Sequence, residues 1–178
     1  MQIYFSSLLL LLVIAVVTPA AASEQPLTTV DSVDLKRYAG LWYEIARIPN
    51  RFQNKCARHT TAEYTLMQNG RIRVINSCIT ADGDTTIAKG VAKVVDSESR
   101  ARLKVSFVNL LGLRLFWGDY WIIALDDEYR WAVVGHPERK YGWILSRTPQ
   151  LDREEEERIY AKIKEQGYKK DRFISSRQ

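Results

Sequence analysis

Residues 62–76 read AEYTLMQNGRIRVIN, and this stretch decides the fold class. Gln68-Asn69-Gly70 is a turn signal, because Asn and Gly accept the positive φ of a tight hairpin. Beyond it, Arg71 and Arg73 alternate with Ile72 and Val74. That period of two belongs to a strand with one face in water and the other in a core. The reading is a pair of antiparallel strands, 60–66 and 71–78, joined by a short turn.

The same rhythm continues on both sides. Alternating segments at 42–47, 86–95, 102–108, 120–125, 131–135 and 141–147 are separated by polar turns such as 81–84 and 96–99. Regularly spaced short strands of this kind form a sandwich or barrel. An all-β, eight-stranded antiparallel up-and-down barrel is the expectation, since closure removes exposed edges. One segment breaks the pattern. Residues 152–166 carry Glu154 to Glu157 early and Lys162 and Lys164 late, which complements a helix dipole, and Gly167 suits the helix end. Ile159 and Ile163 give a narrow apolar stripe, so this helix packs on the outside of the barrel.

The 178 residues are 46% hydrophobic and 26% charged, with net charge +5, which suits one globular domain. Two cysteines and two histidines exclude a disulfide-built miniprotein and a four-cysteine zinc site. No metal or other cofactor is expected. The basic residues are scattered rather than gathered into a stripe with aromatics, which argues against nucleic acid as a partner.

Residues 8–17 read LLLLLVIAVV, too short a run to span a bilayer comfortably. Ala20 and Ala22 then fit a signal-peptidase site. Residues 1–22 are therefore expected to be a cleaved signal peptide, leaving 23–178 as a single exported domain. No cysteine follows the apolar run, so a lipid-modified N-terminal cysteine is not expected.

Three segments together carry a family resemblance: Gly40-Leu41-Trp42 on the first strand, Asp126 after the strand 120–125, and Arg147 closing the last strand. With WYEIARIPNRF, AEYTLMQNGRIRVIN and WILSRTP around them, the chain resembles the lipocalin family, and within it bacterial lipocalins and apolipoprotein D. The resemblance implies that Trp42 closes the barrel floor with Arg147 across its face, a cation–π contact. Gly40, Trp42, Asp126 and Arg147 are accordingly structural. It also implies an exported location, periplasmic as a soluble protein or secreted, with outer-membrane association in some members.

With the floor at Trp42, strand parity orients the rest. Ala46, Tyr64, Val74, Val105, Phe107, Tyr120, Ile122, Trp131, Tyr141 and Trp143 are expected to face the lumen and to bind ligand; Ala62, Ile72 and Val133 share that parity. This apolar and aromatic lining suits an acyl chain with a polar end. A packed core without a cavity fits the same pattern, and the resemblance implies a cavity. Cys56 and Cys78 fall at the open ends of neighbouring strands, where a disulfide would pin the mouth; free thiols are the alternative, though no C-x-x-C spacing supports a redox role. Arg47, Arg51, Lys55, Arg58, Arg139 and Lys140 are expected around the mouth, as are His59 and His136.

Residues 109–117 hold six large apolar side chains in a mouth segment. Such a patch points to contact with lipid, membrane or a second copy, as a homodimer, or to a flap over the cavity. The chain carries no G-x-S-x-G elbow, no H-E-x-x-H and no phosphate loop. No catalytic residue is assigned, and the chain is expected not to be an enzyme. Glu44 is the one carboxylate with inward parity; unpartnered it would be a functional candidate, and the plainer readings are a pair with a nearby arginine or a place near solvent. The reading is a carrier of a fatty acid or lysophospholipid for membrane or envelope maintenance. The alternatives are an interaction module acting through 109–117 and, below that, an enzyme on a lipid or isoprenoid.

Overall fold

A computed structural model describes residues 25–178, so the signal-peptide expectation for 1–22 lies outside the described residues. The chain enters through a single helical turn, α1 (Leu35–Tyr38), and then β1 (Gly40–Arg47), β2 (Arg58–Leu66), β3 (Ile72–Ile79), β4 (Thr85–Val94) and β5 (Arg102–Ser106). A separate two-stranded hairpin follows, β6 (Val108–Leu110) and β7 (Leu113–Leu115), before β8 (Gly118–Leu125), β9 (Trp131–Gly135) and β10 (Gly142–Ser146) return to the main sheet. Helix α2 (Arg153–Glu165) and the two-residue β11 (Ile174–Ser175) complete the chain. The strand order β10-β9-β8-β5-β4-β3-β2-β1, with β10 also paired to β1, is the expected closed eight-stranded meander. Strand 102–108 ends two residues early, at Ser106, because the chain leaves the barrel there to build the hairpin.

The buried side chains form an inner and an outer layer. The inner one fills the lower barrel with Trp42, Ala62, Tyr64, Ile72, Val74, Leu103, Ile122 and Val134. The outer one lies between barrel and α2, where Ile159 and Ile163 meet Ala46, Ile123, Ala124, Trp131, Val133 and Ile144. Each isoleucine so buried contributes about 1.5–3 kcal/mol. Asp152 caps α2 by accepting from the Glu155 amide at 2.7 Å.

This outer layer corrects the inward assignments of Ala46, Trp131 and Val133, which pack beneath α2. For Ala46 the cause is a bulge in β1 between Glu44 and Ala46. An extra residue there reverses the faces: Trp42 and Glu44 point in, Ala46 points out, and Arg47 points in again. A second bulge in β8, between Ile122 and Ala124, keeps Ile122 inside and puts Ala124 outside. In β9 every residue is buried, because one face lines the barrel and the other lies under the helix. Alternation therefore carries no mark of which face is which. Trp131 stands opposite Ser146, and Val133 opposite Ile144 of the outer layer.

The floor is built as expected. The Arg147 guanidinium lies 3.7 Å above the Trp42 ring and donates to the carbonyls of Leu41 and Arg37, each at 2.7 Å, and of Ala39 at 2.9 Å. Trp42 Nε1 donates to the Tyr38 carbonyl at 2.8 Å. Gly40 sits at φ +95°, a conformation that admits no ordinary side chain without strain.

Asp126 turns β8 into β9. Its carboxylate accepts from Arg130 Nε and Nη2 at 2.9 and 2.8 Å and from the Glu128 and Arg130 amides at 3.1 Å. The Arg130 hydrogen bonds hold its carboxyl below the usual value. A lowered native pKa stabilises the fold above the unfolded value, about 3.9, and the contribution is lost as pH falls through the native one. Asp126→Asn is therefore expected to lower the urea midpoint at neutral pH, and the gap to wild type should close in acid. An unchanging gap from pH ~7 to pH ~2.5 would show that ionisation is irrelevant to the turn.

Candidate functional site: the barrel lumen

Cross-strand register identifies the inward rows, since directly opposed residues share a face. Tyr64 faces Val74, which faces Gly90; one row higher, Ala62 faces Asn76, which faces Ala88. Ala92 faces Val105 of β5, and Phe107 continues that row above it. A Cβ placed on Gly90 would come within 2.7 Å of the Phe107 ring, so the glycine makes room for this ring. Ile122 and Val74 are sealed in the lower core, whereas Asn76, Val105, Tyr120 and Trp143 keep accessible surface, and Ala88 and Phe107 are exposed. The lower barrel is thus packed, and accessibility begins from Tyr120 upward.

Three tyrosine hydroxyls meet at the base of this accessible region. Tyr120 lies 2.7 Å from Tyr38 and 2.9 Å from Tyr64, oxygen to oxygen. Burial pushes Tyr38 and Tyr120 well above the usual phenol value and Tyr64 up to about 12, so all stay neutral hydroxyls near neutral pH.

A charged network occupies the upper wall. Arg47 Nη1 donates to Glu44 Oε1 at 2.8 Å, Ser176 Oγ donates to the same oxygen at 2.6 Å, and Gln53 Nε2 donates to Oε2 at 2.5 Å. Trp143 Nε1 in turn donates to Gln53 Oε1 at 2.9 Å. Of the readings open for Glu44, the arginine pair is the one found. Aromatic rings crown the rim, with Tyr141 near Phe52, His136 and Trp143 at centroid distances of 5.9, 5.4 and 6.0 Å. Cys56 and Cys78 form a disulfide with Cα atoms 5.5 Å apart, tying the β1–β2 loop to the top of β3.

The expected basic rim is only partly assembled. Arg47 is turned inward onto Glu44, and Arg139 donates to the Gln166 carbonyl beneath the end of α2. Lys140 pairs with Glu138. Arg51, Lys55 and Arg58 remain exposed at the mouth. Among the described residues no group of His, Cys, Asp and Glu is placed to hold a metal ion.

Residues 109–117 form a projecting hairpin rather than a flap. Leu111 and Gly112, at φ +49° and +85°, make its two-residue turn. Leu111 is 96% and Phe116 82% exposed, with Leu110 and Leu113 exposed beside them.

Several site residues carried no local signal. Gln53 lies in a 3₁₀ turn and Ser176 at the far end of the chain from Glu44. Tyr38 precedes the first strand, so parity did not assign it. Asn76 was readable, since it shares the parity of Val74.

Comparison with known proteins agrees with this geometry. Residues 33–178 match the family model for the lipocalin-like domain. The chain is 41% identical over 149 residues to the outer membrane lipoprotein Blc of Escherichia coli K12, covering 83% of this chain and 81% of that protein. It is 38% identical over 148 residues to temperature-induced lipocalin-1 of Arabidopsis thaliana, covering 82% and 79%. Apolipoprotein D of Rattus norvegicus is 35% identical over 130 residues, covering 68% and 64%. Among solved structures, insecticyanin of the tobacco hornworm superposes with a TM-score of 0.70 at 24% identity, covering 85% of this chain and 84% of that one.

Proposed function

The chain belongs to the lipocalin family, and from that premise we propose that it carries a fatty acid or lysophospholipid in its barrel for membrane or envelope maintenance. Lipocalins are typically non-enzymatic binding proteins for small hydrophobic ligands. The observation that carries the lipid reading is the accessible inward wall of Val105, Phe107, Tyr120 and Trp143 above a sealed floor. Each methylene buried there contributes about 0.8 kcal/mol before ordering costs. A long chain then reaches roughly micromolar affinity without a tight head-group contact. Arg51, Lys55 and Arg58 at the mouth favour an anionic head group. Export to the periplasm or outside the cell is part of this reading, supported by the apolar run 8–17 and by similarity to an outer membrane lipoprotein.

The exposed hairpin supports a second role, docking of the mouth on a lipid surface. Arg114 lies on β7 of the hairpin itself, and Arg51 and Lys55 lie in the β1–β2 segment at the same open end. Cations beside exposed leucines favour an anionic bilayer. Self-association through the same leucines is the competing outcome.

The test is a titration of delipidated protein with saturated fatty acids of increasing length and with lysophospholipids, read by displacement of a fluorescent fatty acid. Saturable binding that tightens with length, and weakens in folded Trp143→Asp, is expected. A flat response from folded protein would exclude the lumen as a lipid site. Leu113→Asp/Phe116→Asp should keep the free-lipid affinity but lose sedimentation with vesicles of phosphatidylglycerol. A dimer that this variant converts to monomer would assign the hairpin to self-association instead.

A further inference from the structure

The tyrosine cluster leaves a hydrogen-bonding valence unused. Tyr38, Tyr64 and Tyr120 bring three hydroxyl protons, and their two mutual contacts consume two of them. The third proton has no acceptor among the described residues. Tyr120 is the member of the cluster that keeps accessible surface, and it packs against the inner core, so that surface faces the lumen. One inward row above Tyr64 stands Asn76, whose buried Oδ1 accepts from nothing. Ala88 opposite Asn76 is small and exposed, while the Phe107 ring lies over Gly90 opposite Val74. The lumen therefore presents a spare donor and a spare acceptor in neighbouring rows of an otherwise apolar wall.

A hydroxyl is the neutral group that satisfies both, accepting from the phenol and donating to the amide oxygen. A ketone or ester carbonyl would satisfy only the donor. A carboxylate does not suit the position, because among the described residues the neighbouring cations are committed elsewhere: Arg147 lies across the Trp42 ring with its donors on backbone carbonyls, and Arg47 is bound to Glu44. An unpaired anion there would bear a large desolvation cost.

We infer that Tyr38, Tyr64, Tyr120 and Asn76 form a hydroxyl-recognition site in the lumen, selecting acyl chains with an alcohol group on the inserted part of the tail. This rests on the lipid-carrier reading and narrows its ligand class to hydroxylated fatty acids or their lysophospholipid esters. The carboxylate or head group stays at the mouth, and the alcohol sits among the tyrosines.

The probes are octadecanoate and octadecanoates bearing one hydroxyl at carbon 2, 10, 12 or 18, titrated into delipidated protein. In a wholly apolar lumen an inserted hydroxyl weakens binding by about tenfold or more. Here one internal or terminal position is expected to bind at least as tightly as octadecanoate, while the 2-hydroxy acid gains nothing. Tyr120→Phe and, separately, Asn76→Leu should each cut the ratio of the favoured hydroxy acid's affinity to that of octadecanoate by about tenfold. Tyr64→Phe serves as a second probe of the cluster if Tyr120→Phe fails to fold. Equal discrimination against every inserted hydroxyl, in wild type and variants alike, overturns the site, as does a preference that survives the substitutions. Failure of octadecanoate and all four hydroxy acids to bind would instead remove the carrier reading on which the site depends.

Discussion

Trp42→Ala is expected to lose about 3–5 kcal/mol of unfolding free energy, read as a large drop in the urea midpoint. Trp42 has no accessible surface, and three elements meet on it. Tyr38 of α1 packs on its ring at a centroid distance of 5.1 Å, the guanidinium of Arg147 covers it, and inner-layer side chains surround it. Truncation leaves a void that a closed barrel cannot collapse around, because every strand is hydrogen-bonded on both sides. Two companion variants separate the contributions. Trp42→Phe keeps a ring and loses the Nε1 donor, yet the Tyr38 carbonyl still receives Arg147 Nη2 at 3.2 Å. Its loss should stay near 1 kcal/mol. Arg147→Met keeps the stem and strips the carbonyls of Arg37, Leu41 and Ala39 of a charged donor, with an expected loss of about 1–3 kcal/mol. If Trp42→Ala unfolds within about 1 kcal/mol of wild type, the floor is not where the barrel is held.

Legibility in the sequence followed the number of faces a strand shows to water. β2 and β3 show one face, so their alternation names both their turn and their inward residues, Tyr64 and Val74 included. β9 shows none, because α2 covers what would be its wet face, and Trp131 reads as readily for the lumen as for the helix. Bulges fail differently. The shift after Glu44 is a backbone choice that leaves no trace in residue type, yet it moves Ala46 out and brings Arg47 in. Reversing Arg47 is also what moves a cation from the anticipated basic rim onto Glu44. The hairpin β6–β7 was visible as an anomalous run of leucines, but its separate sheet depends on the break at Phe107, whose ring is drawn over Gly90. The polar groups of the lumen lay furthest from legibility, since Tyr38, Gln53 and Ser176 converge only through tertiary structure.

Arg47→Leu is expected to cost about 3–5 kcal/mol, the usual penalty for stranding one member of a buried ion pair. The side chains of Glu44 and Arg47 are only 4% and 12% exposed. Without the guanidinium, Glu44 keeps Ser176 and Gln53 as neutral donors, which solvate the carboxylate but do not neutralise it. Glu44→Leu/Arg47→Leu removes both charges, and its stability should return to within about 1–2 kcal/mol of wild type. The remaining loss belongs to the C-terminal segment. β11 pairs with β1 at Ala46 and Arg47, just beyond the last β1–β2 pair at Tyr43, and Gln178 Nε2 donates to the Glu44 and Thr60 carbonyls at 2.5 and 3.0 Å. The segment thus fills the split where β1 and β2 part, and the ion pair anchors it through Ser176. Hydrogen exchange at the Ser176 amide, which donates to the Ile45 carbonyl, should quicken most in the double variant, which removes both partners of the Ser176 hydroxyl, and less in Arg47→Leu, which keeps its bond to Glu44. Global stability and local protection then separate. Recovery of the first without the second identifies charge neutralisation as the role of Arg47 toward Glu44, and fastening of the C-terminus as the role of the pair together. Equal destabilisation in the single and double variants would instead make the ion pair incidental, with Arg47 acting only through the packing of its stem.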